Sequence, residues 1–168
     1  LKNYGVCNVL INIPYFCSMS QNDLFIDYEN CIAPWLGKTT KIVDYHLQEM
    51  FSANALDLTK EQMIVLKILH EKDGINQNEL AFITLRNKSS LTRLISKMER
   101  KNWISRNKSK SDKRVNKIYL TTSGRNTFQK TKPVIKKMIE TIELNISKSE
   151  KELFIKTLQK IQTNFIKS

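Results

Sequence analysis

Apolar residues recur at helical spacing through most of this chain, and the interruptions mark where elements end. Leu36, Val43, Leu47, Met50 and Phe51 predict a helix from Ala33 to about Phe51. Ser52 to Leu58 reads as a connection. Thr59 to His70 is a second helix, with Met63, Leu66 and Leu69 facing a core and Thr59/Gln62 in the spacing of a capping box. Asp73-Gly74 ends it. A short third helix runs from Asn76, a good N-cap, to about Thr84, with Leu80, Ala81 and Ile83 as its apolar face.

Asn87 to Lys101 is a fourth helix. Leu91, Leu94, Ile95 and Met98 fall on one narrow stripe, and Ser89, Ser90, Thr92, Arg93, Ser96, Lys97 and Arg100 lie opposite. Asn102 follows, a residue that tolerates the left-handed backbone just past a helix end. Trp103 to Arg106 and Val115 to Leu120 alternate apolar and polar positions as two strands do, with Trp103 as core at their base. The charged segment Asn107-Lys-Ser-Lys-Ser-Asp-Lys-Arg114 between them is too long for a tight turn and should project into solvent. Thr121 or Thr122 caps a long helix to about Ile146, with Pro133 expected to kink it. Ser147 and Glu150 open a last amphipathic helix to Lys167. The order is four helices, a β-hairpin and two helices: a mainly α fold with a small β-hairpin.

Charge changes the picture. From Arg86 to Lys117 there are twelve Lys and Arg against only Glu99 and Asp112, a surplus of ten out of +12 for the whole chain. A field focused in this way attracts polyanions. A basic helix followed by a basic hairpin points to a DNA-binding winged helix.

The remaining composition mostly excludes. At 168 residues the chain can bury a core without metal or disulfide help. There is no run of about 18 apolar residues, so no membrane span is expected. Cys7, Cys17 and Cys31 are odd in number and form no C-x-x-C, which argues against a disulfide framework or zinc knuckle and for a reducing cytoplasm. His46 and His70 have no metal-ligand partner at helical spacing. No P-loop, G-x-S-x-G, H-E-x-x-H or Rossmann fingerprint occurs, so no catalytic residue, metal or cofactor is assigned. Val6 to Phe16 is interrupted by Asn8, Asn12 and Pro14 and does not read as a signal peptide. Residues 1–32 are expected to be an N-terminal arm, part of it either upstream of a start at Met19, without fixed structure, or packed on a partner subunit.

Two segments carry a resemblance. Asp112-Lys-Arg114 followed by Leu120-Thr121-x-x-Gly124 is similar to the wing signature of the MarR family of bacterial transcription regulators. Asn87-Lys-Ser-Ser-Leu-Thr-Arg-Leu94 resembles the start of that family's recognition helix, and Asn76-Gln-Asn-Glu-Leu-Ala81 its third-helix opening. Lys101-Asn102-Trp103-Ile104 stands where the family usually has Lys-Gly and two hydrophobic residues, with asparagine departing from the glycine. The likeness covers about residues 33–167. It implies a winged helix-turn-helix at 59–121, dimerisation helices at 33–54 and 122–168, and a homodimer. Such a protein would bind a pseudo-palindromic double-stranded operator, most often as a repressor, and release it when a ligand or oxidant acts.

The expected contacts follow from side-chain reach. Lys88, Ser89, Ser90 and Thr92 would lie close to DNA at the start of the fourth helix, with Arg93 and Lys97 reaching guanine edges or phosphate. The serines could equally be ordinary helix-start residues. In the wing, Arg114 would enter the minor groove, while Arg106, Lys108, Lys110 and Lys113 would add salt-sensitive contacts. Asp112 would hold the wing's shape, with Arg86 one available partner. Tyr45, His46, Met50 and Phe51 would line a small-molecule effector pocket or form dimer-interface core. Cys31 would be an inert small hydrophobe or, as the alternative, a redox sensor at a helix start. A winged helix used only for protein contact is the other alternative.

Overall fold

The computed structural model describes residues 27–108 and 116–166. The chain divides into two compact units between Gly37 and Lys38. In the first, Asn30 donates from its backbone N–H to the Asp27 carboxylate at 3.3 Å, and Trp35 Nε1 donates to the Glu29 carbonyl at 2.8 Å. Helix α1 (Ile32–Ala53) begins here and continues into the second unit.

The second unit adds α2 (Lys60–Glu71), β1 (Ile75–Asn76), α3 (Gln77–Ile83), α4 (Lys88–Arg100), β2 (Ile104–Lys108), β3 (Asn116–Leu120), α5 (Thr122–Ile142) and α6 (Lys148–Ile166). The caps fall where short polar residues were available. Thr59 and Gln62 form the expected reciprocal box at the start of α2, the Gln62 side chain accepting from Thr59 N–H at 3.0 Å. Asn76, Asn87 and Thr121 accept from backbone N–H groups at the starts of α3, α4 and α5. Ser147 and Glu150 do the same work at α6. Asn102 has φ 55°, the left-handed conformation expected of it after α4. Helix α5 runs on through Pro133 to Ile142.

The sheet corrects the sequence reading. A third strand, β1, pairs antiparallel with β3 (Ile75 opposite Ile118), giving the order β1-β3-β2. Two residues are too few for alternation to register, so only the pairing reveals them. In the hairpin, Ile104 faces Leu120 and Lys108 faces Asn116.

Leu66 and Leu69 of α2, Leu80 of α3, and Leu91, Ile95 and Met98 of α4 are fully buried with Ile118 of β3. Leu94, expected on the same stripe of α4, is half-buried at its edge. The core also extends beyond the 59–121 segment: Phe51 of α1 and Phe128, Val134 and Met138 of α5 belong to it. Helix α5, from Phe128 to Met138, therefore packs on the same core. By contrast, no described residue of α6 is buried. Among the described residues, no helix is long and apolar enough to cross a membrane.

Candidate nucleic-acid interface

Helix α4 owes its orientation to its apolar stripe. Because Leu91, Ile95 and Met98 are locked into the core, the remaining face must point outward. Lys88, Ser89, Thr92, Arg93, Lys97 and Arg100 are all exposed there, and Ser90 is half-buried. The far half of this face and strand β2 enclose an open groove of about 440 Å³, lined by Thr92, Arg93, Ser96, Lys97, Glu99, Arg100 and Arg106. Among the described residues, Arg93, Lys97 and Arg100 enter no ion pair. Three uncompensated cations on one helix face form a surface suited to phosphates and guanine edges. Arg100 joins this set from the structure; it stood on the polar face in the sequence but not among the expected contacts.

Other expected contacts are differently placed. Arg106 sits in the groove, but its guanidinium donates to Glu99 Oε2 from Nε at 2.9 Å and also from Nη2. The pair ties β2 to the last turn of α4 and offsets the charge of Arg106. Arg86 does not wait for Asp112: its Nη1 donates to Ser90 Oγ at 3.1 Å and its Nη2 lies 3.7 Å from Glu61. Lys108 is exposed at the end of β2. Lys110, Asp112, Lys113 and Arg114 lie outside the described residues, as do Cys7 and Cys17.

The carboxylates in these pairs are tuned accordingly. Glu99 is held below the ordinary carboxylate range, first by the Arg106 hydrogen bonds and then, against a smaller upward push from burial, by the guanidinium charge. Burial pushes Glu61 up, but hydrogen bonds from the Thr59 hydroxyl and its own backbone, with the Arg86 charge, bring it below its usual value. Because Glu99 is more acidic in the folded state, its stabilising contribution is present above the unfolded glutamate pKa and disappears as pH falls through the lower, folded one. Thermal midpoints of the natural chain and Glu99→Gln are therefore expected to differ at neutral pH and to converge in acid. A gap that stays constant across that range would contradict the pairing.

Further braces set the frame around α4. Lys101 Nζ donates to the Asp57 carboxylate at 2.7 Å and lies 4.7 Å from the centre of the Trp103 ring, which is buried as expected. Asp73 accepts from Leu120 N–H at 2.8 Å and from Arg125 Nη2 at 2.6 Å, tying the turn after α2 to the start of α5. Sequence reasoning took Asp73-Gly74 as a helix stop only. The signal available was that Glu99 is the single acid of a basic helix.

The four residues considered for an effector pocket do not share a surface. Phe51 is fully buried in the winged-helix core, Met50 is half-buried against it, and Tyr45 and His46 are exposed with their rings edge-on at 5.4 Å. Cys31 is a half-buried free thiol just ahead of α1.

Three helices, a turn-linked α3–α4 pair and a three-stranded wing sheet define a winged helix-turn-helix protein. The MarR family model matches residues 58–115, which contain α2 through β2. That segment is thus similar to the DNA-binding domain of the MarR family of transcription regulators. It is 29% identical over 105 residues to the transcriptional regulator HosA of Escherichia coli O157:H7, spanning 62% of this chain and 78% of that one. Its fold is similar to that of a MarR mutant from E. coli complexed with operator DNA, with TM-score 0.72, 25% identity, and 77% and 91% of the two chains covered. It is also similar to S. aureus MepR in a DNA complex, with TM-score 0.75, 24% identity, and 80% and 98% covered.

Proposed function

We propose that this protein is a sequence-specific double-stranded DNA-binding transcription regulator that acts as a homodimer on a pseudo-palindromic operator. The observation that carries the reading is the outward face of α4, where Arg93, Lys97 and Arg100 lie together without ion-pair partners among the described residues. The major groove admits an α-helix, and short Ser89, Ser90 and Thr92 let this one approach base edges. The wing lysines and Arg114 would follow the backbone and enter the adjoining minor groove. That MarR and MepR, similar to this chain in fold, are each found in complex with DNA supports the DNA-binding reading.

A homodimer is supported by apolar surface that one copy leaves in water. Ile139, Ile142, Leu144 and Ile146 at the end of α5 and beyond it, and Leu153, Phe154 and Ile155 of α6, are all exposed. A symmetric partner would bury them, and two-fold symmetry would present two α4 helices to successive major grooves. Repression, and release by a small ligand, are the finer parts of the proposal and rest on the family likeness.

The test is a titration of the full chain against DNA from upstream of its own gene and against a scrambled duplex, across a salt series, with the mass measured in parallel. The expected result is a dimer that prefers the native duplex by on the order of a thousandfold, with affinity falling steeply as salt rises. Equal binding to both duplexes would reduce the basic surface to a non-specific anchor. No binding at low salt would overturn the reading.

A further inference from the structure

We propose that Thr92 reads the C5-methyl group of thymine, and that Gln77 is the positioning residue that turns it to do so. The inference rests on α4 being the base-reading helix.

A threonine on such a helix has two handles, a hydroxyl and a methyl, and here the hydroxyl is already occupied. Thr92 Oγ1 donates its one proton to the Lys88 carbonyl at 2.7 Å. It accepts from Gln77 Nε2 at 3.0 Å. No proton is left for guanine O6, thymine O4 or a purine N7, the acceptors of the major groove. The side chain is nonetheless exposed and lines the groove along α4. Beyond one remaining lone pair, which could only accept from an adenine or cytosine amino group, what it can offer a base is its methyl, and the apolar feature of a major-groove edge is the thymine methyl.

A threonine in a helix divides between two χ1 rotamers, and here hydrogen bonds to its own helix and from α3 select one of them. The methyl is therefore held at one place before DNA arrives. Ser90 shows the contrast. Its Oγ accepts from Arg86 and donates to no described residue, so its proton remains for an acceptor on DNA. Ser90 and Thr92, two residues apart, thus flank the outward face of α4, one as a polar donor and the other as an apolar contact.

Gln77 carries a second observation. Its Oε1 is buried without a hydrogen-bond partner among the described residues. An unpaired buried acceptor is destabilising. The amide therefore sits in an arrangement that packing alone does not favour, and what that arrangement achieves is the bond to Thr92.

The experiment begins by selecting bound duplexes from a randomised double-stranded pool with the full chain. Each thymine of the selected site is then replaced by deoxyuridine, which removes only the methyl. The natural protein is expected to lose about fourfold in affinity for each contacted methyl removed, at one thymine position in each half-site. Thr92→Ser should abolish the thymine/deoxyuridine difference there, whereas Thr92→Val, stiff in the same helical rotamer, should keep it. Gln77→Ala should shrink the difference, a ratio that a merely structural role would leave alone. A ratio of one at every thymine, or a ratio that survives in Thr92→Ser, would overturn the assignment while leaving DNA binding intact. A pool from which no duplex is enriched would overturn the DNA-binding reading and this assignment with it.

Discussion

Gly124→Ala is expected to destabilise the winged helix by about 3 kcal/mol or more, lowering the thermal midpoint by roughly 10 °C. Helix propensity alone predicts the opposite sign, since alanine in a helix interior is favoured over glycine by about 1 kcal/mol. The collision decides. A Cβ at Gly124 would stand 2.0 Å from the Trp103 carbonyl oxygen and 2.8 Å from Leu120 Cδ1. That oxygen is backbone and cannot swing away. It also accepts from Thr121 N–H at 3.1 Å, while the Thr121 hydroxyl donates to the Asn102 carbonyl at 2.6 Å. Relief would require parting α5 from the turn after α4, which seats the hairpin. Gly37→Ala supplies the control: it lies within α1 with nothing within 4 Å of its Cβ position, so alanine should stabilise slightly there. Melting curves of the two variants are expected to move in opposite directions. If Gly124→Ala melts at or above the natural chain, the close approach is not real.

Removing the three α4 cations together, as Arg93→Gln, Lys97→Gln and Arg100→Gln, is expected to weaken operator binding on the order of a thousandfold. That corresponds to somewhat more than 1 kcal/mol for each lost base or phosphate contact. For each of the three that meets a phosphate, the slope of log affinity against log salt should become shallower by about 0.9. All three are exposed and, among the described residues, none has an ion-pair partner, so the fold should be unaffected. Circular dichroism and melting would confirm that the loss is not one of folding. Glu99→Gln makes an informative companion, because it releases Arg106 into the same groove and should not weaken binding in this way. Unchanged affinity in the triple variant would move the DNA-binding surface elsewhere.

Much of this interface was legible in the residues of α4 itself. Asn87 as cap, the apolar stripe through Leu91, Ile95 and Met98, and the left-handed Asn102 all depend on neighbours within a turn or two, and all appear where the pattern placed them. The thirty-two residues from Arg86 to Lys117 also announced a basic surface before any fold was known. Strand β1 was not legible, because a two-residue strand has no period; it exists through its register with β3. Asp73 looked like turn chemistry, yet it holds Leu120 and Arg125, 47 and 52 residues further along.

The division follows from the range of the forces involved. Helix starts and stops, and which face of each helix turns inward, are settled by short-range sterics, caps and the alternation of apolar and polar side chains, so the chain's order of letters is sufficient for them. The total charge is settled in the same way. Which cations remain available is not. Arg86, Arg93 and Arg106 have equal standing in the sequence, but Glu61 and Ser90 engage the first and Glu99 the last, whereas Arg93 has no ion-pair partner among the described residues. The hydroxyl of Thr92 is likewise assigned by Gln77, fifteen residues away on another helix. Pairings of that kind are made only when packing brings distant side chains within hydrogen-bonding distance.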